Sequence, residues 1–130
     1  MNIESKTVVV QKDAAAMCSF LSDVKNYEQL MPENCTKFEV IRENAFVFAL
    51  KGMPEIALEI KEVNAPQQVV LGALSDKLPF TLTGQIESID SDSSQVQLLF
   101  EGEFNAMMGM MIKGPITKFL ESLVSNMETL

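Results

Sequence analysis

The chain has 130 residues, a length that fits one domain and leaves little room for two. Hydrophobic residues make up 47% of it, enough for a proper core. Ten basic residues stand against eighteen acidic ones, a net charge of −8, which argues against the phosphates of nucleic acid and disfavours anionic membrane surfaces.

In chain order, Ile3 to Gln11 contains the β-branched run Thr7-Val8-Val9-Val10 and reads as a strand. Asp13 offers a capping oxygen to a short helix over 14–22, in which Met17, Phe20 and Leu21 recur at helical spacing. Ser22 and Asp23 cap a second short helix over 24–31, with Val24, Tyr27, Leu30 and Met31 on one side, and Pro32 ends it. From Cys35 onward the apolar period changes to two. Phe38 and Val40 share a face, Asn44 marks a turn, and Phe46, Phe48 and Leu50 share the next face. Gly52-Met53-Pro54 breaks that strand. Ile56, Leu58 and Ile60 then alternate with polar or small residues, and Asn64-Ala65-Pro66 turns the chain into an apolar strand over Val69–Leu74. Phe80, Leu82, Gly84 and Ile86 form one face of a further strand. After the polar turn Asp90–Ser94, Val96, Leu98, Phe100, Gly102 and Phe104 form another.

The period switches once more after Asn105, a plausible cap. Met108, Ile112, Ile116, Phe119, Leu123 and Met127 step by three or four, as in an amphipathic helix of roughly twenty residues, or ~30 Å. Gly114-Pro115 is expected to kink it, because proline removes a donor and crowds the preceding turn. Strands in an unbroken run with short turns favour antiparallel neighbours. The final helix is the one large apolar element left to cover their common face. The expected fold class is therefore α+β: a curved antiparallel seven-stranded sheet around a long C-terminal helix, with two short helices between strands 1 and 2, all in one domain over 1–130.

This order of elements resembles the helix-grip fold of the START-like or SRPBCC superfamily, which includes birch pollen allergen-type proteins and polyketide cyclases. The resemblance covers almost the whole chain. It is carried by Asp13 to Pro32, DAAAMCSFLSDVKNYEQLMP, and by the C-terminal run NAMMGMMIKGPITKFLESLVSNM. The chain lacks the tryptophan common in the second-helix region of relatives. The resemblance implies a cavity between sheet and long helix that takes hydrophobic molecules; some members are enzymes and many are carriers or partners of other proteins.

The residues themselves offer little chemistry. There is no histidine, the commonest acid, base and metal ligand near neutral pH, and no Gly-rich phosphate loop, nucleophile elbow or metal-spaced cluster. No metal or other cofactor is expected. Cys18 and Cys35 lack the spacing of a zinc site and read as reduced thiols. Residues 1–12 carry no apolar signal core and no window spans a bilayer, so a cytoplasmic protein is the default expectation. Glu101 and Glu103 share a strand face, which reads as a solvated outer surface or as a carboxylate pair for acid–base work. Tyr27 reads as helix packing or as a polar handle at a cavity end, and Arg42 as a surface residue.

Methionine is the informative feature. Met107, Met108, Met110 and Met111 fall within five residues, so the first half of the last helix is apolar on nearly all sides. Flexible, polarizable side chains suit surfaces that accept varied apolar shapes. Three readings follow: core packing, a ligand-cavity wall, or a contact with another protein or a second copy of the chain. The leading functional expectation is a binder of a lipid-like or polyketide-like molecule, lined by Phe48, Leu58, Leu82, Phe100, Met108, Met111, Ile112 and Phe119. The alternatives are a cyclase- or dehydratase-type enzyme and an interaction module, or homodimer, built on Met107–Met111.

Overall fold

The computed structural model describes residues 1–53, 55–74 and 79–130. Eight strands form one antiparallel sheet: β1 (Asn2–Glu4), β2 (Val8–Val10), β3 (Cys35–Arg42), β4 (Ala45–Leu50), β5 (Ile56–Asn64), β6 (Gln68–Ala73), β7 (Phe80–Asp90) and β8 (Ser93–Gly102). Helix α1 (Ala14–Leu21) and a 3₁₀ helix (Val24–Leu30) lie between β2 and β3, and α2 (Ala106–Met127) closes the chain. The sheet order is β1-β8-β7-β6-β5-β4-β3, with β2 also on β8. Every consecutive pair from β3 to β8 is therefore a meander neighbour, and the one long connection carries the N-terminal strands to the far edge.

The seven expected strands are present, with the first divided in two. Ser5 interrupts the run. Its amide donates to the Leu98 carbonyl at 2.9 Å, and its buried hydroxyl oxygen accepts from the Leu98 amide at 2.9 Å. A side-chain oxygen thus replaces one rung of the ladder, and pairing resumes at Val8↔Val96.

Of the capping residues expected from the sequence, Asp13, Asp23 and Asn105 cap their helices, while the Ser22 hydroxyl donates back to the Cys18 carbonyl at 2.7 Å. Asp13 accepts from the Ala16 amide at 2.7 Å, and Asp23 accepts from Lys25 at 3.0 Å. The second short helix is a 3₁₀ helix ending at Leu30, one residue before the expected end. Its Tyr27 is packing, not a cavity handle. The hydroxyl donates to the Leu21 carbonyl at 2.8 Å, and the ring stacks on Phe46 at 5.1 Å. Burial pushes its phenol well above the usual range, with Cys18 adding to the effect.

The register brings the period-two residues into rows across the concave face. Ile60 pairs with Leu71, Leu71 with Leu82, Leu82 with Phe100 and Phe100 with Ile3. Phe38 pairs with Phe48, and Phe48 with Ile56. The convex face carries ion pairs: Glu59 joins Arg42 at 2.6 Å and also Lys61, whose side chain lies over Gly72. The hydrogen bond from Lys61 is the chief reason the Glu59 carboxyl sits below its ordinary range.

Helix α2 runs through Pro115 as one helix of 22 residues. The expected kink thus does not divide it, although Pro115 has no amide to give the preceding turn. The division is one of packing. All six of its buried residues, Ile116, Phe119, Leu120, Leu123, Val124 and Met127, follow Pro115. Their spacing makes one stripe that lies on the sheet's apolar rows. Asn126 donates to the Leu30 carbonyl at 2.7 Å, and Glu121 accepts from the Lys6 amide at 3.1 Å, fastening this half at its sides.

Candidate functional site

The eight residues expected to line a cavity separate into three groups. Phe48, Leu58, Leu82 and Phe100 are buried on the concave face and belong to the same core as Phe119. The Phe48 ring stacks on Phe119 at 4.8 Å, and Phe100 lies 5.0 Å from Phe80 and 6.1 Å from Phe104. Aromatic side chains thus occupy much of the space between sheet and helix. Met108 and Ile112 are half-buried. Met111 is 68% exposed, beside Met107 at 75% and Met110 at 84%. On a straight helix Met111 lies about 100° from Met110 and from Ile112, and the sheet reaches only the Met108–Ile112 side.

Among several surface depressions, one of about 330 Å³ lies where the middle of α2 passes the β4–β5 turn and is bordered by core residues. Leu50, Gly52 and Met53 form one wall, and Gly114, Pro115 and Phe119 the other. Pro32 and Asn34 close one side, and Lys51, Lys118 and Ser122 complete the rim. The local sequence accounts for this gap. Gly52 has a φ of 84°, a left-handed conformation that lets the chain reverse directly after Lys51. Gly114, opposite, has open space where a Cβ would stand. A glycine turn therefore borders the same space as a glycine on the helix, and among the described residues no side chain occupies the place of a Cβ at either one. Pro54, the third residue of the expected strand break, lies outside the described residues.

Of the eight expected lining residues only Phe119 borders this depression. Apart from Leu50, at the end of the β4 apolar row, the other lining residues come from the β4–β5 turn, the loop at Pro32–Asn34, the Gly-Pro step and polar positions of the helix, none of them marked by an apolar period. The available signal was the pair of punctuation points, Gly52-Met53-Pro54 and Gly114-Pro115, which the fold sets against each other. A second depression of about 410 Å³, between α1 and the β7–β8 pair, is walled mostly by polar side chains such as Gln67, Gln85, Gln95 and Gln97. It offers little for an apolar molecule to bury against.

Residues suited to acid–base chemistry are not gathered at the depression. Glu101 and Glu103 are exposed, and Glu101 pairs with Thr81 and Asn2 on the convex face. Among the described residues there is no group of three or more His, Cys, Asp or Glu side chains able to hold a metal. Among the described residues no helix is long and apolar enough to cross a membrane.

Comparison with protein-family models and with curated proteins gives no match. Solved structures do match along almost the whole chain. A START superfamily protein from Mycobacterium smegmatis aligns over 98% of this chain and 94% of its own, with a TM-score of 0.73 at 19% identity. The fold is the START-like helix grip. The same architecture aligns with norcoclaurine synthase from Thalictrum flavum in complex with dopamine and hydroxybenzaldehyde, over 99% of this chain and 84% of that one, at TM-score 0.77 and 14% identity. The di-domain ARO/CYC protein BexL aligns over 98% of this chain and 46% of its own, at TM-score 0.67 and 12% identity. At such identities the helix grip is held in common without its side chains, so the depression beside Gly114 has to be judged on this chain's own residues.

Proposed function

We propose that this helix-grip domain binds a hydrophobic small molecule, lipid-like or polyketide-like, at the depression between α2 and the β4–β5 turn. The observation that carries this reading is the apolar wall formed there by Leu50, Met53, Pro115 and Phe119 around two glycines. Its volume is at the lower end of the ~300–1,000 Å³ usual for small-molecule sites. Half-buried Ile112 lies one turn before Pro115, so a ligand extending along the helix meets further apolar surface. The driving force is burial, about 25 cal/mol for each Å² of apolar surface removed from water. Small molecules held by a fold of this kind, as in the norcoclaurine synthase complex, support the same reading. Native mass spectrometry of protein purified from its host, with lipid extraction of the same sample, tests it. A bound apolar species should be present, and Gly114→Trp should remove it by filling the depression. A protein that is empty and also takes up no hydrophobic dye contradicts the reading.

The exposed methionines favour one further reading, an interaction surface for another protein or for a second copy of the chain. Met107, Met110 and Met111 are between 68% and 84% exposed on consecutive turns. Sedimentation of the double variant Met107→Lys/Met110→Lys checks the self-association form of this reading. Loss of a dimer with the fold intact supports it, and an unchanged association state counts against it.

A further inference from the structure

The charges around the depression run against those of the chain. Of its lining residues, Lys51 and Lys118 are cationic and none is acidic, in a protein with a net charge of −8. Helix α2 repeats the pattern: from Ala106 to Leu120 it carries Lys113 and Lys118 and no carboxylate, the first being Glu121. Among the described residues neither Lys51 nor Lys118 takes part in an ion pair. Glu55, just beyond the β4–β5 turn, is instead held by Lys37 at 2.7 Å. Glu33 and Glu121 border an adjoining depression that shares Lys118, and a Glu121 oxygen already accepts the Lys6 amide at 3.1 Å. The backbone beneath one side of the rim is held in place. The Lys51 amide donates to the Asn34 carbonyl at 2.9 Å, so Lys51 and Asn34 stand together on one side while Lys118 and Ser122 stand one helical turn apart on the other. Two cations, an amide and a hydroxyl thus surround an apolar floor.

We infer that the ligand is an amphiphile with an apolar body and a single carboxylate, the body lying against Met53, Pro115 and Phe119 and the carboxylate received between Lys51 and Lys118. The inference rests on the proposed apolar site and specifies its ligand class. The two lysines offset a net charge that would otherwise repel an anion, and they orient the molecule with its head at the mouth. Their contribution is that of exposed ion pairs, small for each and sensitive to salt.

Displacement of the neutral dye N-phenyl-1-naphthylamine by decanoate and by decanol, at neutral pH, tests this. Both compounds should displace the dye from the unaltered protein, and added KCl should weaken decanoate alone. The double variant Lys51→Gln/Lys118→Gln should bind decanoate about fivefold to tenfold more weakly, as two exposed pairs allow, and decanol unchanged. Lys51→Arg/Lys118→Arg should restore decanoate. Both changes are at exposed positions, and an unchanged thermal midpoint verifies the fold. If the double Gln variant holds decanoate as well as the unaltered protein does, the carboxylate assignment is overturned while the apolar site stands. If neither compound displaces the dye, or the dye does not bind, the apolar site itself is overturned and the assignment falls with it.

Discussion

The two halves of α2 are built from similarly apolar sequence and have different surroundings. Residues 116–127 place six side chains in the core and are tied laterally through Asn126 and Glu121. Residues 106–115 place none there; Met107, Met110 and Met111 stand in solvent and Met108 and Ile112 are half-covered. The difference shows that hydrophobicity alone does not say whether a helical turn supports the fold or is free to serve something else. What decides is whether the sheet extends beneath it. The second half meets the sheet's apolar face, with Phe119 stacked on Phe48, and at the level of Gly114 a gap opens beside the β4–β5 turn.

Substitutions can break that comparison. The largest effect is expected from Phe119→Ala, which removes the ring stacked on Phe48 and should cost about 3–5 kcal/mol in urea unfolding, as aromatic truncations in packed cores do. Removing the cap of the first half should cost less. Asn105 accepts from the Met108 amide at 2.8 Å, so Asn105→Ala should lower stability by about 0.5–2 kcal/mol, and circular dichroism should register fraying of this half alone. The smallest effect is expected from Met110→Lys, at an 84% exposed position, where the change should stay within about 0.5 kcal/mol by the same unfolding measurement. A cost for Met110→Lys approaching that of Phe119→Ala would show that the first half is core after all.

The sheet was legible in the sequence because its signal is local. Ile56, Leu58 and Ile60, or Phe80, Leu82, Gly84 and Ile86, state by alternation which side faces inward, and the pairing agrees in every such strand. The break at Ser5 was not legible. A hydroxyl that substitutes for a backbone rung leaves no periodic trace in a run that still reads as β-branched and extended. The site was legible only in part. Phe119 stood out by its helical spacing, but Asn34, Lys51, Gly52 and Lys118 come together through the turn geometry of segments distant in sequence. Met111 shows the opposite difficulty. Helical spacing places it near residues that face the sheet, yet the direction of a helix face at the edge of the core depends on where the sheet ends, which only the assembled structure supplies.

The comparison itself is tested most directly by amide hydrogen exchange along α2, with and without a hydrophobic ligand such as decanoate. Without ligand, amides of residues 110–114 should exchange far faster than those of 119–127, because few buried contacts hold that half closed. Added ligand should slow the first group most, with a smaller effect at Phe119 and Ser122, which border the depression in a half already protected by the core. Equal protection in both halves without ligand would contradict the comparison, and an unchanged exchange of residues 110–114 on adding ligand would contradict a ligand in the depression beside Gly114.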